Sequence, residues 1–194
     1  GKDLGLTGNR RTPEINSKIT GGIVEESNNY IYNIFTDPGP STAYAKVDVT
    51  VDYFVVGGGG GGGGSYGGSA GGSGGGAGGV REGQMSLTQS TSYAIVIGDG
   101  KGGNAYPDTY PGGAGSSFAP TWVNGEDSSF HNVTASGGGK GGGGPAPNHD
   151  GAQGGSGGGG AYDGSSAAGD VGNYTPPEGS PGGSGSSSPA RTSG

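Results

Sequence analysis

The sequence predicts an all-β fold: a small antiparallel β region, then a glycine-rich region of short strands and packed polyglycine segments, with essentially no helix. Three observations carry this. Gly supplies 54 of 194 residues and Pro a further 12, and each interior Gly costs a helix about 1 kcal/mol against Ala. Short runs rich in Val, Ile, Tyr, Phe or Thr recur along the chain, each bounded by Gly, Asn, Asp or Pro. Hydrophobic residues make up only 27% of the chain, too few to cover helices or a wide sheet on both faces, so any apolar core is small and local.

Taken in order, residues 1–17 read as a polar arm, with Arg10, Arg11 and Pro13 and no apolar periodicity. Residues 18–56 read as antiparallel strands over 19–26, 30–36 and 44–56, separated by the turn sequences Ser27-Asn28-Asn29 and Asp37-Pro38-Gly39-Pro40. In the last of these, Val47, Val49, Val51, Tyr53 and Val55 fall on one face and Asp48, Thr50 and Asp52 on the other, the period of a half-buried strand. Tyr30, Tyr32 and Ile34 repeat the alternation, opposed by Ile31 and Phe35. Residues 57–136 form the glycine-rich β region. It opens with 57–79, which holds 17 Gly in 23 residues, and continues through strand candidates at 84–88, 92–97, 116–123 and 129–135. Residues 137–194 are a Gly, Pro and Ser-rich segment with Tyr162 and Tyr174 as isolated aromatics.

An ordered glycine run has few conformations open to it. Entropy rules out a glycine α-helix, and a glycine sheet has no side chains with which to grip a core. The extended helix with three residues per turn remains. It points its N–H and C=O groups outward, and without side chains several such segments lie close enough to satisfy one another's hydrogen bonds. Cohesion is therefore expected from the backbone rather than from apolar burial; the alternative reading is irregular glycine loops held on a β scaffold, since short Gly loops between strands are common.

Several functional classes are excluded. There is no Cys, so no disulfide framework or thiolate site. A net charge of −7 opposes nucleic acid and anionic bilayers as partners, and no apolar run is long enough to predict a transmembrane helix. The many G-x-G-x-x-G matches follow from composition, since no helix follows Val55-Val56-Gly57, and Lys101 and Lys140 precede Gly where a phosphate loop needs Ser or Thr. His131 reads as part of the 129–135 strand and His149-Asp150-Gly151 as a turn, with no third group to orient either histidine for catalysis. Asp99, Asn104 and Asp108 lack the register of a calcium loop. Asn132-Val133-Thr134 and Asn173-Tyr174-Thr175 match the glycosylation acceptor pattern and read as incidental. No enzyme activity, catalytic residue, metal or cofactor is expected.

The loop aromatics are the better functional candidates. Tyr66, Tyr106, Tyr110, Trp122, Tyr162 and Tyr174 sit among Gly, Pro, Ser and Asp, the composition of adaptable recognition surfaces and of sugar-stacking sites. Trp122, between Thr121 and Val123, reads as structural. Tyr106, Tyr110, Tyr162 and Tyr174 are the receptor-binding candidates.

Val51-Asp52-Tyr53-Phe54-Val55-Val56 followed by eight glycines resembles the glycine-rich domain of bacteriophage virion proteins, especially tail-fibre and related structural proteins of marine phages. The likeness continues through 75–83, through Tyr93-Ala94-Ile95-Val96-Ile97-Gly98-Asp99-Gly100, and through Ser128-Ser129-Phe130 leading to Thr134-Ala135-Ser136; upstream it reaches Ile19-Thr20-Gly21-Gly22. The resemblance implies a non-enzymatic fibre or adhesin component, located in the virion, in which the glycine region is a platform for variable loops. A homo-oligomer, with a trimer favoured, is expected to dock on other fibre subunits through its N-terminal region and to meet a host-surface glycan or protein. An extracellular bacterial matrix or filament protein has the same composition. An ice-binding protein is a third reading, but it requires regularly spaced Thr or Ala that the sequence lacks.

Overall fold

The computed structural model describes residues 16–64, 71–103, 123–143 and 148–186. Among them there is no helix. The elements are β1 (Ile19–Thr20), β2 (Ile23–Ser27), β3 (Tyr30–Ile34), β4 (Gly39–Ala45), β5 (Val49–Val56), β6 (Val80–Leu87), β7 (Thr91–Ile97), β8 (Ser128–Phe130) and β9 (Val133–Ala135). All pairings are antiparallel: a five-stranded sheet in the order β1-β4-β7-β8-β9 and two hairpins, β2-β3 and β5-β6. The fold is all-β.

Local chemistry explains where the strands break. The 19–26 run is two strands because Gly21 and Gly22 adopt φ of +108° and +66°, and a Cβ on either would collide with the Thr42 or Ile34 carbonyl. Asn28 and Asn29, at φ of 50° and 65°, form the two-residue turn whose twist matches a hairpin and join Ser27 to Tyr30. Within 44–56 the chain turns at 46–48, so Tyr44 belongs to β4, and Val47 is exposed instead of sharing the β5 inner face. Val49, Val51, Tyr53 and Val55 do point inward and Thr50, Asp52, Phe54 and Val56 outward. The 129–135 run is a hairpin, and His131 stands in its turn at φ 55° rather than in a strand. Of the 116–123 candidate only Val123 is described, outside any strand.

The apolar core is small. Ala45, Leu87 and Tyr93 are buried, with Ile19, Val49, Val51, Met85 and Phe130 packed on them from the β5-β6 hairpin and its neighbours. The Tyr93 hydroxyl accepts the Thr88 N–H at 2.7 Å, so its polar tip is satisfied at the rim.

Three strand pairings run on in the same register into glycine. β5 and β6 pair up to Val56↔Val80, and beyond them Gly57, Gly60 and Gly63 donate to the carbonyls of Gly79, Gly76 and Ser73 at 3.0, 2.9 and 2.8 Å. The β7-β8 register continues as Glu126 N–H to Asp99 O, and the β8-β9 register as Gly125 N–H to Gly138 O. The step between bonds changes from two residues to three at these junctions. Three is the repeat of the extended helix, in which successive residues face three different neighbours.

The segment 57–64 illustrates the consequence. Gly57, Gly60 and Gly63 bond the 71–79 segment, whereas Gly58 and Gly61 donate to Glu126 and Val123 and accept from Gly138 and Gly141. Segment 136–143, buried along most of its length, lies at the centre: it bonds 57–64, 71–79, 123–127, 148–152 and 154–161. Segment 154–161 is a second centre, bonding 71–79, 148–152, 164–170 and 178–186 with the same three-residue step. Neighbours run both parallel and antiparallel, because a threefold helix offers donors and acceptors in every lateral direction.

Side chains terminate this lattice where it meets the strands. Ser128 Oγ accepts the Gly98 N–H, Asp127 Oδ1 the Gly137 N–H, and the buried Glu178 carboxylate the Ser136 N–H, each at 2.7–2.9 Å. They satisfy backbone donors that have passed beyond the reach of a neighbouring segment.

Close approach fixes residue type at the interior positions. A Cβ on Gly139 would overlap the Ala152 carbonyl oxygen and lie 2.8 Å from the Gly158 nitrogen, whereas one on Gly74 would meet nothing within 4 Å. Gly139→Ala is therefore expected to destabilise the protein by about 3 kcal/mol. Gly74→Ala is expected to be neutral or to stabilise by up to about 1 kcal/mol through the unfolded chain. Denaturant unfolding of the two variants checks the contrast.

Candidate functional site

The meander of glycine segments gives the molecule two chemically different ends. The strands stand at one. At the other lie Gly61, Val123, Gly142, Gly143, Asn148 and the turn at Tyr162-Asp163. Hydrogen bonds place these points together: Gly61 with Val123, Gly142 with Gly159, Gly143 with Asn148, Ala161 with His149, and Gly185 with Gly164.

Of the four candidate tyrosines, Tyr106 and Tyr110 lie outside the described residues, as do Tyr66 and Trp122; the flanks of their segment, Gly103 and Val123, are at the loop end. Tyr162 is at that end, 42% exposed, with φ of 50° and its ring edge-on to His149 at 5.6 Å. Tyr174 is not with them. It lies at the strand end, partly buried, with the Arg81 guanidinium 3.5 Å over its ring centroid, so one face is already occupied.

The two histidines stand in different surroundings. His131 packs against Tyr93 at 5.2 Å, and its backbone N–H donates to the Ala94 carbonyl. His149 pairs through Nδ1 with Asp163 Oδ1, a contact no sequence spacing announces because 14 residues separate the two. Among the described residues no three His, Cys, Asp or Glu side chains meet as a metal site. Asp99 is engaged elsewhere: it and Glu126 hold Lys101 Nζ at 3.2 and 2.7 Å.

That last cluster clasps 98–103 to 123–127. The Glu126 hydrogen bond raises the Lys101 pKa against a smaller opposing effect of desolvation, with Asp99 adding to the rise. The Lys101 hydrogen bond, with help from the Asp99 N–H, lowers that of Glu126. On the acid side the clasp is complete above the ordinary glutamate range and is lost as pH falls through the lowered Glu126 value. On the basic side it is complete below the ordinary lysine range and is lost as pH rises through the raised Lys101 value. Amide protection at Lys101 and Glu126, which bond Gly59 O and Asp99 O, is expected to drop a few-fold at the acid extreme. Lys101→Met is expected to remove that pH dependence, and hydrogen exchange followed residue by residue checks it.

A family profile described as a glycine-rich domain matches residues 36–194, from the end of β3 to the C-terminus of the sequence. No curated protein and no solved structure matches the chain. The matched span contains the polyglycine bundle and the strands that fix its register, and the chain belongs to the glycine-rich domain family.

Proposed function

We propose that this chain is a non-enzymatic display subunit of a bacteriophage virion, a tail-fibre or receptor-binding component, which holds variable loops on a rigid glycine platform. The observation that carries the reading is the polarity of the bundle. Hydrogen bonds gather Val123, Gly143, Asn148 and the Tyr162-Asp163 turn at one end, while among the described residues exposed apolar side chains such as Ile23, Tyr30, Tyr32, Phe54, Val56 and Val80 concentrate on the strands at the other. Loops on a scaffold held by backbone bonds vary without disturbing a core, because the scaffold's stability does not pass through them. Apolar surface at the opposite end suits burial against a neighbouring subunit. A two-stranded hairpin such as β2-β3, with Ile23 and Tyr30 at 59% and 61% exposure, gains most from such a partner.

On this reading the chain associates with copies of itself, as a trimer, and with other fibre subunits through the strand end. The loop end faces the host, with Tyr106, Tyr110 and Tyr162 as the residues that meet it. Tyr174, stacked under Arg81, serves the scaffold.

Particles carrying the chain with 104–122 replaced by a Gly-Ser linker are expected to retain the subunit and to adsorb to host cells more than about tenfold more slowly. Particles made with Phe54→Ser and Val56→Ser are expected to lack the subunit. Unchanged adsorption in the first case, or normal incorporation in the second, contradicts the reading.

A further inference from the structure

We infer that the Tyr162 turn is a binding site for a neutral saccharide, with Tyr162 as its stacking face, Asp163 as its hydroxyl acceptor and His149 as the residue that positions both. The inference rests on the loop-end reading above and goes further in naming a ligand class and two residues, His149, which the sequence reads only as part of a turn, and Asp163, which it leaves unmarked.

Tyr162 stands where glycine would be easier. Its φ of 50° lies in the left-handed region, which is unfavourable for a bulky side chain and open to Gly. In a chain with 54 glycines, a strained tyrosine at an exposed turn is explained by what its ring does there. The residue is 42% exposed, and among the described residues its aromatic neighbour is His149, edge-on at 5.6 Å and 70°. An aromatic ring presented in this way suits the C–H face of a pyranose.

The polar half of the site lies beside the ring. Asp163 gives one oxygen to His149 Nδ1 and remains 58% exposed, and a carboxylate with unused lone pairs accepts hydroxyl protons. Asp150, on the same rim, accepts the Ser165 N–H at 2.7 Å. Two carboxylates on a chain of charge −7 disfavour an acidic sugar, which leaves a neutral one. The frame is fixed in advance: Ala161 N–H donates to His149 O, Gly164 N–H to Ala161 O and Gly185 N–H to Gly164 O at 2.6–2.9 Å. Little backbone ordering then remains to oppose a weak ligand.

The two histidines provide the test. His149 is in the site and His131 stands in the β8-β9 turn at the strand end, so their imidazole Hε1 resonances serve as reporter and reference. The full chain is titrated with neutral hexasaccharides (α-1,4-glucan, β-1,4-glucan and α-1,6-mannan) to about 10 mM, the range in which single-ring sites saturate. At least one is expected to shift His149 saturably and leave His131 in place. Tyr162→Gly, which suits the left-handed turn and so preserves the fold, is expected to weaken that binding at least about tenfold. Asp163→Ala is expected to weaken it too. No shift with any of the three, a shift unaltered in Tyr162→Gly, or a shift produced by acetyl-arginine amide and by none of the sugars overturns the inference. Competition by the purified chain for host cells separates it from the broader reading. Competition without a saccharide shift removes the ligand class alone, and a saccharide shift without competition removes the virion role alone.

Discussion

The structure depends on one constraint: main chains approach one another so closely that no Cβ fits between them. At Gly139 the space for a side chain is already taken by the Ala152 carbonyl, and at Gly63 and Gly142 by the carbonyls of Gly142 and His149. Such proximity turns each segment's N–H and C=O groups onto its neighbours, and the three-residue repeat distributes them around the axis. Each net hydrogen bond contributes about 0.5–1.5 kcal/mol, set against the high ordering entropy of glycine. A lattice in which central segments have four or five bonded neighbours is how the balance becomes favourable, since one bond per residue in a single pair would not suffice.

Glycine alone does not specify which residue pairs with which, because a bare backbone looks the same after any three-residue shift. The strands remove that ambiguity. Side chains on β5 and β6 select one register through their buried alternation, with Val49, Val51, Met85 and Leu87 inward, and the glycine pairs that follow inherit it. The small apolar core of Ala45, Leu87 and Tyr93 is therefore an alignment device for the bundle as much as a source of stability. Ser128, Asp127 and Glu178 mark the junctions, where strand and threefold spacing part company.

Much of this is legible in the sequence. The β5 alternation, the Asn28-Asn29 turn and the expectation of glycine segments zipped by backbone bonds follow from composition and period. Strand ends are less legible: the breaks at Gly21-Gly22 and at 46–48 depend on contacts with Thr42 and Ile34 and on which sheet each strand joins. The site is less legible still. An exposed tyrosine at 162 can be read from its surroundings, but its partner His149 is 13 residues away, brought near by parallel and antiparallel turns of a bundle whose neighbours carry no pattern. Tyr174 is a further case: its Pro-rich setting marks it in the sequence, but nothing there announces the Arg81 guanidinium, 93 residues earlier in the chain, that the fold brings over its ring.

The bundle thus joins register-setting strands to threefold glycine segments that side chains scarcely enter. The central claim is that these segments are ordered by backbone bonds, and native-state hydrogen exchange at individual glycine amides tests that most directly. Gly60, Gly76, Gly138, Gly139 and Gly142, which donate to Gly76, Gly139, Gly58, Ser156 and Gly159, are predicted to exchange only through global unfolding, as slowly as Tyr93 and Ile95 in the sheet. Exchange at the rate of unstructured glycine at these positions, with the sheet amides still protected, would contradict it.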